Sequence, residues 1–186
     1  GLIFTYLLMK ANDKGTSNER LKKGLIRGLM LMGIGYALRI PIFRWLSGNF
    51  DTCFLVVDVL QCIGLSLILI IFFYKLVQKN VIVFALLMLI LGMFIFMTEP
   101  LYRSYSAEHI PLVLANYLTK ANGSIFTIIP WFGYMAFGAF MASLFYSYLK
   151  KPKFKRSIVI CFLVLGLFLV NSSTWVLQNI YLWTDI

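Results

Sequence analysis

Charge is scarce in this sequence, acidic charge most of all. Only 13% of the 186 residues are charged, and seven of them are Asp or Glu. A soluble domain carries about 25% charged residues, so this chain has too few to coat a water-facing surface. Histidine occurs once, at His109. The three cysteines, Cys53, Cys62 and Cys161, show neither disulfide nor metal-ligand spacing. Cys62 and Cys161 fall inside apolar stretches and read as small apolar fillers. No phosphate-cradling glycine loop and no nucleophile elbow is present. No metal is expected.

What fills the space is apolar. Hydrophobic residues make up 61% of the chain, against roughly 45–50% in soluble proteins. The apolar residues come in uninterrupted runs, not in the two-residue alternation of a membrane barrel. The fold class that follows is an all-α integral membrane protein. Five complete spans are expected over residues 24–40, 54–76, 81–97, 126–149 and 157–177. Residues 1–9 are apolar but fall short of the ~20 needed to cross. They read as the end of an N-terminal helix whose beginning is missing, and the chain as an internal fragment. Residues 1–186 form one helical domain on this reading. Residues 10–23 form a polar loop. The piece 110–119, in the long loop 98–123, is too short to span and lies in the interface or folds back.

The net charge of +10 would suggest nucleic acid on a soluble chain. Here the cations sit between apolar runs, and topology explains them better. Of the 17 Lys and Arg, Arg39, Arg44, Arg103 and Lys120 fall on one side of the expected bundle and the other 13 on the opposite side. By the positive-inside rule the rich side is cytoplasmic, which places residues 10–27, 75–80 and 150–156 there. No nucleic-acid partner is expected.

Small residues mark where helices approach. Gly24 and Gly28 form a GxxxG pair continued by Gly33 and Ala37, and Gly138 and Ala142 form a second small pair. Pro130 removes a backbone donor early in its helix, and Trp131 suits a headgroup boundary. Ser124 reads as the cap of that helix.

Asp58 is the least comfortable residue. It stands about a turn inside the span 54–76, with Gln61 at i+3 on the same face. A carboxylate at that depth is expensive without a partner. Either it reaches the interface or pairs with Arg39 or Arg44 to join two helices, or it lines a cavity for a polar substrate. The loop 98–123 adds Glu99, Arg103, Glu108 and His109, a histidine that titrates near neutral pH. The cluster KKPKFKR at 150–156 is a topology signal or a phosphate attractor, for anionic lipid or a nucleotide-like carrier.

Two motifs carry a resemblance. The stretch Val57-Asp58-Val59-Leu60-Gln61-Cys62-Ile63-Gly64-Leu65 is one. Gly123-Ser124-Ile125-Phe126, leading into Pro130-Trp131-Phe132-Gly133-Tyr134 and Gly138-Ala139, is the other. With the basic loop 10–27 ahead of them, they resemble the heparan-alpha-glucosaminide N-acetyltransferase catalytic-domain family, in its bacterial members. The resemblance implies a multi-span acyltransferase in a bacterial inner membrane. It would take an acetyl group from acetyl-CoA on the cytoplasmic side and deliver it to a saccharide amine or hydroxyl on the other. Expected partners are the bilayer, acyl-CoA and a saccharide, and a homo-oligomer is an open alternative. The family's usual catalytic histidine lies in a part of the fold that precedes Gly1, and His109 does not match it. On this reading the 186 residues alone are expected to be inactive. The resemblance implies a place near a central cavity for Asp58, Gln61, Pro130 and Trp131, and Arg39, Glu99, Arg103 and His109 are further candidates for lining it. There Gln61 or the Trp131 indole would donate to the acyl oxygen, and Asp58 or Glu99 would orient a sugar. A carrier or channel with the Asp58 stripe along its path is the competing class.

Overall fold

The structure, a computed structural model, describes residues 1–42, 46, 52–77, 80–98, 110–121, 123–148, 156–164, 166–168, 170–172 and 175. The chain divides into two compact units, Gly1–Tyr146 and Ser147–Ile186. The regular secondary structure among the described residues is helical, with no strand. In order come α1 (Leu2–Asp13), α2 (Ser17–Leu38), a 3-10 turn (Thr52–Leu55), α3 (Val59–Leu76), α4 (Val81–Met97), α5 (Leu112–Leu118) and α6 (Ile128–Tyr148). The second unit contains an apolar helix, α7 (Arg156–Ser172).

Two helices, α3 and α6, are long and apolar enough to cross a bilayer. The α4 helix is equally apolar but has 17 residues. The α2 helix is long, with 22 residues, but its first turns are charged. The expected polar loop 10–23 is therefore shorter than its composition suggests. Helix α1 continues to Asp13 and α2 begins at Ser17. The turn between them is a glycine-capped helix end. Gly15 takes φ +70°, its N–H donates to the Asn12 carbonyl, and the Thr16 N–H donates to the Ala11 carbonyl. Those two bonds satisfy two of the last carbonyls of α1, and the polar residues on both sides stay helical.

Side-chain sizes set the packing. A Cβ on Gly64 would lie 2.5 Å from the Gly28 carbonyl oxygen, and one on Gly28 would lie 2.9 Å from the Gly64 oxygen. The backbones of α2 and α3 meet there, as a GxxxG face predicts. The seam continues from Leu21 through Gly24 and Gly28 to Gly35, all buried. Gly33 has open space around its Cβ position, so Gly35 carries the small face onward in its place. Gly24 faces Ile71 and Gly35 faces Gln61, which makes α2 and α3 antiparallel. Phe96 of α4 stacks on Phe137 of α6 at 5.7 Å and meets Tyr134 edge-on at 4.9 Å. The Tyr74 ring of α3 meets Phe84 of α4 at 5.3 Å. Buried Leu8, Met9, Ile70, Tyr74, Phe84, Met88, Phe132, Ala136 and Ala139 form one core. The Tyr146 hydroxyl donates to the Asp13 carboxylate, tying the end of α6 to the end of α1.

Helices α1, α3 and α6 thus run one way, and α2 and α4 the other. One end of the bundle gathers the end of α2, the start of α3 and the start of α6. The other gathers the α1–α2 turn, the end of α3 and the end of α6.

Candidate functional site

The polar residues converge at the first of these ends, around the start of α3. Asp58 is not one turn inside a helix. It is the residue from which the helix starts, with extended backbone at φ −117° and ψ −176°. Its Oδ1 accepts from the Val59 N–H at 2.8 Å. Its own N–H donates to Gln61 Oε1 at 3.1 Å. With the Asp58 side chain accepting from the Gln61 N–H in return, that second bond makes a capping box, in which residues three apart satisfy each other's backbone donors. The spacing that puts Asp58 and Gln61 on one helical face is also the spacing of that box. The preceding stretch, expected to be the outer end of the span, is the 3-10 turn.

The second carboxylate oxygen, Oδ2, accepts from the Arg39 guanidinium at 3.0 Å, joining the end of α2 to the start of α3. The pair is half-exposed, at 31% for Arg39 and 42% for Asp58. The Val59 N–H first, and then the Arg39 guanidinium, hold the Asp58 carboxyl below its usual pKa. It is therefore ionised at neutral pH and a poor proton acceptor. Of the two readings open from sequence, the geometry displays the ion pair between helices.

Gln61 is different. It is fully buried. Gly35 makes room for it, since a Cβ there would lie 2.6 Å from the Gln61 carboxamide carbon. Its oxygen is used in the cap, while Nε2 has no partner among the described residues. A buried donor left unpaired costs about 1–3 kcal/mol, so this N–H can donate to an acceptor brought to it. Asn116 behaves alike: Nδ2 donates to the Leu55 carbonyl at 2.9 Å, while Oδ1 is buried without a partner among the described residues.

Three further contacts hold other parts of the chain to this end. The Ser124 hydroxyl accepts from the Val57 N–H at 3.1 Å and is buried. Ser124 therefore fastens the α5–α6 connection to the α3 cap and does not cap its own helix as expected. The Cys62 thiol donates to the Thr127 carbonyl at 3.7 Å. The Tyr36 hydroxyl donates to the Tyr117 hydroxyl at 3.0 Å. Around these bonds, Val57, Cys62 and Tyr117 form a small core with Met32, Tyr36 and Phe126 against it. The short helix α5 folds back on the bundle: Ala115, Asn116 and Tyr117 are buried, while Leu112, Val113 and Leu114 face outward.

Trp131 lies in the first turn of α6, directly after Pro130, and is 39% exposed. Its ring centroid is 4.9 Å from Phe126 and 5.8 Å from Tyr134. Trp131 thus reaches the α3 cap through Phe126. Arg39, Asp58 and Gln61 belong to one bonded group, and Trp131 stands beside it. Glu99, Arg103 and His109, with Arg44 and Glu108, lie outside the described residues. So do residues 150–155 of the basic cluster, whose last member, Arg156, opens α7. Sequence reasoning did not find Tyr36, Asn116, Tyr117 or Thr127. The available signal was the polar pair Asn116-Tyr117 inside an apolar segment too short to span.

No curated protein and no solved structure matches the chain. Residues 1–180 do match the family described as heparan-alpha-glucosaminide N-acetyltransferase, catalytic, and the chain belongs to that acetyltransferase family.

Proposed function

We propose that the protein is an integral membrane acyltransferase that moves an acetyl group from acyl-CoA to a saccharide amine or hydroxyl across the bilayer. The family match over residues 1–180 carries this reading. The spanning length of α3 and α6 and the concentration of cations at one end support it. The basic end faces the cytoplasm of a bacterial cell, and five spans cross its inner membrane. A cleft of about 370 Å³ at the α1–α2 turn, lined by Lys10, Lys14, Glu19, Arg20 and Lys23 among others, suits the phosphates of CoA.

In such a transfer the acceptor's nitrogen or oxygen attacks the thioester carbonyl and gives up a proton. The tetrahedral oxyanion then collapses, expelling the CoA thiolate, which takes a proton. The residue best suited to the oxyanion is Gln61, whose buried Nε2–H has no partner among the described residues. Asp58 and Arg39 position it: the carboxylate fixes the cap, and the cap holds the Gln61 oxygen. Tyr36 and Tyr117 border the same small core.

The test uses the full-length protein in membranes with labelled acetyl-CoA and a mixture of saccharides. Wild type transfers label to saccharide, and Gln61→Ala lowers the rate about 10²-fold at unchanged expression. A wild-type rate in Gln61→Ala removes Gln61 from the site. Solute uptake without any acyl transfer in wild type replaces the enzyme with a carrier.

A further inference from the structure

A second cleft lies at the basic end, between α2 and α3. Its volume is about 220 Å³, and it is lined by Asn18, Leu21, Lys22, Leu25, Ile71 and Lys75. Leu21 and Ile71 are buried and form an apolar floor, while Lys22 and Lys75 are exposed at its mouth. No carboxylate is among those lining residues, unlike the neighbouring cleft at the α1–α2 turn, which includes Glu19.

What continues from the mouth sets the ligand. On α2, Leu25 and Leu29 follow Lys22 at helical spacing, and both are exposed. On α3, exposed Phe72 lies one turn from Lys75, towards the middle of the helix. Each ammonium group therefore heads an apolar stripe that runs away from the basic end. A soluble phosphate would use the cations and leave the stripes unused. A diacyl lipid uses both.

The geometry points to a binding site for one anionic phospholipid, with its phosphodiester at Lys22 and Lys75 and its acyl chains along Leu25, Leu29 and Phe72. Lysines placed where helix meets headgroups attract anionic lipid, and lysine stems lie along apolar surface while the charge reaches outward. The glycine seam below holds the two helices at fixed separation, so both charges are presented to a single headgroup. This site rests on the membrane reading proposed above and not on the chemistry of acyl transfer.

The test is native mass spectrometry of the full-length protein in neutral detergent. The probes are palmitoyl-oleoyl phosphatidylglycerol, the matching phosphatidylcholine, and glycerol-1-phosphate as a competitor. One phosphatidylglycerol is retained in preference to phosphatidylcholine by about tenfold or more. K22Q/K75Q abolishes the preference, K22R/K75R keeps it, and K10Q/K14Q leaves it unchanged. Equal retention of the two lipids, or a preference that survives K22Q/K75Q, overturns the site. Glycerol-1-phosphate competing as well as the lipid shows a free-phosphate site and overturns it too. Alkaline carbonate extraction separates the two readings. A protein released from membranes by carbonate refutes the membrane reading itself. A resistant protein without lipid preference refutes only the lipid site.

Discussion

At its first turn α3 starts from an aspartate with both carboxylate oxygens engaged, one by Val59 and one by Arg39. At its last turn Lys75 stands exposed beside an open cleft. Around Asp58 the chain brings in polar groups from α2, α5 and the segment before α6, and ties them to one another. Around Lys75 it leaves charges facing outward. The contrast has a physical source. A polar group withdrawn from water must be paired within the protein, whereas a lysine whose charged head reaches outward is satisfied by its surroundings. The first end is therefore fitted to hold a fixed geometry, and the second to meet something outside the chain.

That contrast depends on the seam that holds α2 against α3. Gly64→Val puts side-chain atoms where the Gly28 carbonyl already sits. It should give the largest effect, a loss of about 3 kcal/mol or failure to accumulate folded protein, read by thermal unfolding in detergent. Full stability in this variant would mean that the two ends are not held by close backbone approach.

Asp58→Ala comes next. Losing the cap costs about 1–2 kcal/mol, and the half-exposed ion pair adds less than about 1 kcal/mol. The pH dependence follows from the lowered pKa. Asp58 stabilises the fold fully above the unfolded carboxylate value of about 3.9, and that stability is lost as pH falls through the folded value. Asp58→Asn should flatten this acid limb, measured as melting temperature against pH. Arg39→Gln should flatten it only in part, because the Val59 N–H is the larger cause of the shift. An acid limb identical in wild type and Asp58→Asn would remove the carboxylate from the argument.

Tyr36→Phe should cost about 1 kcal/mol through its hydroxyl contact with Tyr117. Tyr117→Phe should cost a similar amount, and the double variant less than the sum, which a double-mutant cycle resolves. Strict additivity would mean that the two hydroxyls do not hold α5 to α2. The smallest effect belongs to the open end. Lys22→Gln and Lys75→Gln should each change stability by less than about 0.5 kcal/mol in neutral detergent. A large loss there would erase the distinction between a tied end and an open one.

Much of this was legible from residue order. Gly24 and Gly28 announced a close helix approach, and the structure places Gly64 against Gly28. The VDVLQ and PWFGY stretches carried the family resemblance, which the match over residues 1–180 shows. Asp58 and Gln61 were visible as a polar pair, but their spacing fits both a cavity-lining face and a capping box. Only the start of α3 at Val59 separates the two. Ser124 resembles a helix cap from its neighbours alone, yet its hydroxyl is used by Val57, 67 residues away.

Composition and order by themselves determined an apolar helical chain with its cations set between hydrophobic runs, because hydrophobic runs, turn residues and charge are local properties. Tertiary structure decided which polar atoms are paired. Arg39 finds Asp58, Tyr36 finds Tyr117, Asn116 finds Leu55, and the Gln61 side-chain N–H is left without a partner among the described residues. Those pairings depend on the separation and direction of packed helices, which the glycine seam fixes and no local stretch encodes.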